Sequence, residues 1–248
     1  MQKIIFFIVE NSKILLGAGL GFAVLEILWG REKQSILSSR LKGVVSYTVW
    51  IIPTAIAWYF CLKLPESKPA IVFDLSQANQ WSVLGIAGPI LAALVGDFFY
   101  YWMHRLQHTV PSLWKYHQVH HSITELNAIN CNHHWIENVL RVPLIVLPLK
   151  YLINVEAGQS LPLIALALQI WGIQIHSNTR FGFGKLRLLF ADNYYHRLHH
   201  SIDPQHYDKN FAAFFPIWDL IFGTIMLPKK GETFRTGIKK SGQILFPE

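Results

Sequence analysis

Charge is what this 248-residue chain has least of. Asp, Glu, Lys and Arg together make up 15% of it, against about 25% in an ordinary soluble domain. With 52% hydrophobic residues and a mean hydropathy of +0.28, that deficit argues against a water-solvated fold and for a bilayer. The net charge is +7. Few of those charges interrupt the long apolar runs, so Lys and Arg on the cytoplasmic side of a membrane account for it and nucleic acid is not an expected partner. Cysteine is nearly absent as well. Cys61 sits in an apolar run and Cys131 beside a histidine pair, which excludes a disulfide framework and a cysteine-held iron–sulfur cluster; both read as bystanders. There is no flavin fingerprint and no fused haem domain. The opening "MQKIIFFIVENSK" is broken by Glu10 and Lys13 without a small-residue cleavage site, so a retained membrane segment is expected rather than a signal peptide.

What is present in quantity is apolar sequence. The first run is Ile14–Trp29, extended by Ile4–Val9, and a basic segment, "REKQSILSSRLKG", follows it. The second run is Val44–Leu62, with a helix-kinking Pro53, and the third is Val83–Trp102. Runs two and three are long enough to cross about 30 Å of hydrocarbon, and the first reaches that length with its flank. Val139–Ile153, carrying Arg141, Pro143, Pro148 and Lys150, and Leu161–Ile175 read as a helical hairpin that crosses or dips into the bilayer. "FGFGKLRLLF" reads as an interfacial amphipathic piece, and Tyr100, Tyr101 and Trp102 as an interfacial belt. With segment 31–42 in the cytoplasm, both His104 and His176 emerge on that side. The expectation is an all-α integral membrane bundle of about three to five membrane helices with a cytoplasmic, helical, histidine-rich metal cap. Residues 1–81 form N-terminal membrane helices, 82–226 the catalytic region and 227–248 a tail, all in one folding unit.

The chain also has twelve histidines, eleven of them in five groups. "YHQVHHS" at 116–122 returns as "YHRLHHS" at 195–201. On a helix, residues three and four apart share a face. His104 and His108 satisfy that spacing, as do His117, His120 and His121, and again His196, His199 and His200. A lone pair of this kind is usually surface or satisfied core; eight in three clusters are not. Neutral imidazole suits iron, zinc, copper and nickel, and eight or nine rings overfill one ion and suit two. Carboxylates are sparse nearby, unlike the Glu-rich di-iron bundles. His206 stands alone and reads as a surface residue.

These motifs resemble the fatty acid hydroxylase/sterol desaturase superfamily of membrane-bound non-haem di-iron enzymes, over roughly Ser82 to Thr224. "HRLQH" at 104–108 is similar to the first histidine box, with Arg105 inside it, and the HxxHH box occurs at 117–121 and 196–200. "NHHWIE" looks like the family's RxHPxE element, with Asn132 for the Arg, Trp135 for the Pro, His134 and Glu137 matching and His133 extra. "HSN" at 176–178 and "WDLIFGT" at 218–224 are also family-like, and "DKN" at 208–210 is similar to the bacterial branch related to alkylglycerol monooxygenase. The resemblance implies two iron ions (zinc as a possible occupant) and O2 as co-substrate. The expected metal ligands are His104, His108, His117, His120, His121, His134, His176, His196, His199 and His200. Asp97, Glu137 and Asn178 are expected to orient them, with no catalytic side chain beyond the ligands. The implied reaction is hydroxylation or desaturation of a lipid C–H bond; the short, undecorated chain suggests a bacterial inner membrane as its location. Electrons would come in trans from a donor such as a ferredoxin or cytochrome b5, docking on a basic surface that includes Lys115, Arg187, Lys229 and Lys230. The alternative is a metal-binding or metal-transporting membrane protein without oxygenase activity. Asp219 is expected only to start or stabilise a helix.

Overall fold

The computed structural model describes residues 2–33, 36–61, 73–74, 83–154, 160–229 and 231–238. The first apolar run forms one continuous rod, α1 (Gln2–Ile14), a π-helical turn at Leu15–Gly19 and α2 (Leu20–Trp29). The second forms α3 (Ile36–Cys61), which carries Pro53 in its interior. Among the described residues two stretches, Ile4–Trp29 and Leu37–Phe60, are long and apolar enough to cross a bilayer. Only 17% of the most apolar 18-residue window of each is buried, and Phe6, Leu37 and Phe60 are more than 60% exposed. In water so large a contiguous apolar surface would drive association; in hydrocarbon it is solvated.

The third run continues past the expected membrane segment as α4 (Val83–Thr109). It stops there for a local reason. Val110 precedes a proline and is extended (φ −103°, ψ 115°), the conformation a following pyrrolidine ring imposes. Pro111 then occupies the first turn of α5 (Pro111–His121), where its missing N–H costs nothing. The chain turns back, and the histidine face of α5 meets that of α4.

The expected hairpin is α6 (Trp135–Arg141), a π-turn at Val142–Val146, α7 (Leu147–Leu152) and α8 (Ser160–His176). Short α9 (Asn193–His199) and α10 (Ile217–Ile221) complete the helices. Among the described residues the strands are β1 (Phe73–Asp74) alongside β2 (Ile153–Asn154), two residues each, with isolated bridges at Gly30–Thr179 and Ser201–Thr236, so the fold is in substance all-helical. The expected boundary at 81/82, Lys230 and the tail from residue 239 lie outside the described residues.

The membrane-length helices are tied to the polar cap by buried groups. Gly43 on α3 lies against the loop before α6, where a Cβ would come within 2.3 Å of the Ile129 carbonyl oxygen; glycine alone permits that approach. Glu26 on α2, 6% exposed, pairs with Arg40 at 2.6 Å and accepts from the backbone N–H groups of Ala128 and Asn178 at 2.9 and 2.8 Å. A single acid within an apolar run thus anchors two cap loops. Tyr101 is fully buried against Phe211 and Phe222 and is no part of an interfacial belt. The 181–190 segment does present Phe181, Leu186, Leu188 and Leu189 outward, each more than half exposed.

Candidate metal centre

Nine imidazoles converge in two clusters. His104, His108, His117, His121 and His199 form one; His120, His176, His196 and His200 form the other. Within each, the ligand nitrogens lie within 4.8 Å of one another. The repeated heptapeptide acquires a reason here. From α5, His117 and His121 point to the first cluster and His120 to the second. From α9 and its C-terminal residue, His196 and His200 point to the second and His199 to the first. Each copy gives its i, i+4 pair to one centre and its i+3 ring to the other, so α5 and α9 are reciprocal halves. Helix α4 adds two rings to the first cluster and α8 adds one to the second, which leaves five and four.

Proton positions in the cage follow from the partners. His104 Nδ1–H donates to the Phe211 carbonyl at 2.7 Å, His176 Nδ1–H to Gly172 at 2.6 Å and His199 Nδ1–H to Lys209 at 2.7 Å. His117 Nδ1–H donates to the Glu137 carboxylate at 2.8 Å. A carbonyl or carboxylate only accepts, so the ring proton is on Nδ1 and Nε2 presents a lone pair. Yet Nε2 of His104 lies 3.0 Å from Nε2 of His117. Other Nε2 pairs stand at 3.1 Å (His121–His199, His120–His176) and 2.9 Å (His176–His196). Between His104 and His117 two lone pairs face each other without a proton between them; in each of the other pairs one Nε2 lone pair is fixed, that of His199 or of His176. Protonation is no remedy, because burial pushes His199 down to about 3 and holds His121 and His200 well below the usual histidine range. A shared cation is the remedy. Two nitrogens bound at right angles to one ion at about 2.1 Å would stand about 3.0 Å apart. The donor set fits a pair of metal ions, and being all nitrogen it suits iron and zinc alike.

The carboxylates divide differently from the sequence expectation. Glu137, 1% exposed, does orient a ring: besides His117 it accepts from Gln107 Nε2 at 3.0 Å and His133 Nδ1 at 3.2 Å. Asp97 contacts no imidazole among the described residues. It accepts from the backbone of Ala213, Phe214 and Phe215 at 2.8–3.3 Å, and so grips the loop that delivers the Phe211 carbonyl to His104. Asn178 is a brace as well, bonded to the Glu32 backbone at both ends of its amide; it joins the exit of α8 to the end of α2.

His134 is the clear correction. It does not join either cluster. Its ring caps α6, accepting from the Ile136 N–H at 3.2 Å, and packs on Trp50 and Tyr116. A residue at the N-cap has its side chain committed to the helix end. Its neighbour His133, extra to the family-like box, is the one beside the cage, stacked on His120 at 3.8 Å between ring centres. His206 is also not at the surface; it is 6% exposed and bonded to Ser201 at 2.9 Å. Cys131 is a thiol, pushed up to about 12 by burial.

Sequence reasoning undervalued Asp219. Fully buried, it accepts from Tyr195 Oη and Thr224 Oγ1 at 2.7 Å and from the Phe211 and Ala212 N–H groups at 2.8 Å. Asp97 and Asp219 thus hold 211–215 from two sides. "DKN" has a comparable task. Asp208 and Asn210 adopt left-handed backbone (φ 55° and 61°), which Asp and Asn tolerate better than most residues. Between them the Lys209 carbonyl is turned onto His199. The signal for both was present in "DKN" and "WDLIFGT", but only their burial reveals the role.

Paired all-imidazole clusters in a helical chain that also carries two apolar, membrane-length helices mark a histidine-rich helical membrane protein. The family is narrower: the chain belongs to the fatty acid hydroxylase family, which matches it over residues 89–224. It is similar to the ornithine lipid hydroxylase OlsE of Rhizobium tropici, 32% identical over 60% of this chain and 45% of that one. It is also similar to human alkylglycerol monooxygenase, 33% identical over 62% and 32%, and to a cholesterol 25-hydroxylase-like protein of Danio rerio, 26% identical over 74% and 69%. The chain therefore spans less than half the length of the first two relatives. No solved structure matches it.

Proposed function

We propose that this chain is a membrane-bound non-haem di-iron oxidoreductase that uses O2 and externally supplied electrons to hydroxylate a lipid C–H bond. The observation that carries the reading is the two clusters of converging imidazoles, in which the facing Nε2 lone pairs of His104 and His117 call for a shared cation, in a chain of a hydroxylase family with apolar, membrane-length helices. In the overall reaction one oxygen atom of O2 enters the C–H bond to give the alcohol and the other leaves as water, which consumes two electrons and two protons from outside. Iron, when bound, supplies the oxygen activation that no side chain can perform. The chain's own residues hold the rings. Nine histidines, 104, 108, 117, 120, 121, 176, 196, 199 and 200, are the proposed ligands. The Phe211, Lys209 and Gly172 carbonyls and Glu137 fix the protons on Nδ1, which orients the rings and raises the basicity of Nε2. The reciprocal sharing of α5 and α9 sets the separation of the two centres.

The metal site faces the cytoplasm in this reading, in a bacterial inner membrane, and α4 and the α6–α8 hairpin are further membrane elements. A small acidic electron donor, such as a ferredoxin or cytochrome b5, meets the cap at basic side chains including Lys115 and Lys229. Arg187 contributes little to that surface, because it is held bidentately by Asp192 at 2.7 and 2.8 Å.

Lipid analysis of cells with and without the protein tests the activity. Hydroxylated lipids should appear with the wild-type chain and vanish with a His120→Ala, His199→Ala double variant, which removes one ring from each cluster. Products that survive in that variant would rule out the site. Metal analysis after anaerobic purification tests the ions; full activity in a zinc-only preparation rejects iron.

A further inference from the structure

A cavity of about 970 Å3 lies among α1, α3, α6 and α8, near the top of the range for small-molecule sites, ~300–1,000 Å3. At one end it is lined by His133, the ring stacked on His120 of the second cluster. Phe6, Ile51 and Trp58 form apolar wall between the helices. Arg141 lines it too; it is the last residue of α6, about 9 Å along the helix from Trp135 at 1.5 Å per residue, and within electrostatic reach of His133.

Arg141 is the anomaly in this cavity. Its Nε is buried without a hydrogen-bond partner, and no carboxylate pairs with it among the described residues. The Tyr100 ring lies 5.8 Å from the guanidinium carbon. Several other polar groups of the lining are satisfied within the protein: Asn138 donates to Thr54 at 3.2 Å, Asn132 to the Gly43 carbonyl at 2.8 Å, and Tyr47 bonds Ser12 at 3.0 Å. Glu10, the one acid in the lining, is held by Lys13 at 2.7 Å at an exposed position. A guanidinium offers five N–H donors and matches carboxylate and phosphate geometry, and an ionisable group at membrane depth calls for a partner.

We infer that the cavity binds a single-chain lipid through an anionic oxygen group, carboxylate or phosphate, held by Arg141, with the alkyl chain running along Ile51 and Trp58 towards His133. This deepens the proposed hydroxylase reading and rests on it only for what happens at the inner end. The presented carbon is then several bonds from the anionic group, not next to it.

Binding without turnover is the test. Palmitate, 1-palmitoylglycerol 3-phosphate and 1-hexadecanol are titrated anaerobically, without reductant, into the purified metal-loaded protein in nanodiscs. The wild type should hold at least one of the two anions tenfold or more tighter than the alcohol; the tighter one marks a free fatty acid or a phosphorylated lipid as the source. Arg141→Gln should reduce that anion to the alcohol's affinity and leave the alcohol unchanged, and Arg141→Lys should restore part of the difference. Ile51→Trp, which fills the apolar wall, should weaken all three ligands with metal content intact. Equal affinities in the wild type, a preference that survives Arg141→Gln, or indifference to Ile51→Trp would each overturn the assignment. Because no oxygen is used, a chain that binds as described but never hydroxylates would defeat the proposed activity and leave this inference standing.

Discussion

Replacing Glu137 with glutamine separates a ring-orienting carboxylate from a merely structural one. In the native arrangement Oε2 accepts from His117 Nδ1, Gln107 Nε2 and His133 Nδ1, while Oε1 accepts from the His134 backbone N–H at 3.2 Å. A glutamine has one acceptor oxygen. Placed at the Oε2 position it keeps the side-chain bonds but as neutral ones, each weaker by roughly half, and its NH2 then faces the His134 N–H donor to donor. Losing the charge assistance costs about 1 kcal/mol. The unsatisfied N–H at the start of α6 adds about 1 kcal/mol more. The sum, about 2 kcal/mol, corresponds to roughly 30-fold at 1.4 kcal/mol per decade, inside the 10–100-fold range for residues behind metal ligands. The assay is competition for iron against a chelator of known affinity, with the helical circular dichroism signal as the folding control. Wild-type iron affinity in a folded Glu137→Gln protein would mean that the carboxylate does not orient His117.

Asp219→Asn should lower the melting temperature in detergent by roughly 4–12 °C, since about 2–3 kcal/mol of buried hydrogen bonding is lost and 1 kcal/mol shifts a chain of this size by about 2–4 °C; no shift would mean the 211–215 loop is held elsewhere. Asp208→Val should cost about 1–2 kcal/mol because its backbone is left-handed, whereas Asp208→Gly should be nearly neutral; equal destabilisation by both would point to the side chain rather than the backbone. The metal-free protein should weaken on acidification. His199 titrates near 3 when folded but near its ordinary ~6.5 when unfolded, so the unfolded chain takes up the proton first. Stability present above about pH 6.5 is then lost as the pH falls towards 3. Thermal unfolding of metal-stripped protein at pH 7.5, 6 and 5 should show a falling midpoint, and a flat one contradicts the buried neutral cage.

Much of this was readable in the residues because the chemistry depends on spacing. The i, i+3, i+4 histidines needed only the helical repeat to share a face, and nine of the ten expected rings do converge. The apolar runs became helices, with Val110-Pro111 providing the break that folds α5 onto α4. The choice between His133 and His134 was not readable. Either ring can lie beside Glu137 in sequence, and the outcome turns on capping of α6 and on packing against Trp50, which is 84 residues away. The same holds for Asp97 and Asn178, whose partners are backbone groups of distant loops. His206 and Tyr101 looked like surface and belt residues because local sequence does not report what a loop from elsewhere will cover.

Each of the two imidazole clusters is expected to hold an ion. Anomalous scattering at the iron edge from crystals of anaerobically purified protein tests it most directly. Two peaks are expected, one amid Nε2 of His104, His108, His117, His121 and His199, the other amid Nε2 of His120, His176, His196 and His200. A single peak, or none within reach of those nitrogens, would contradict it.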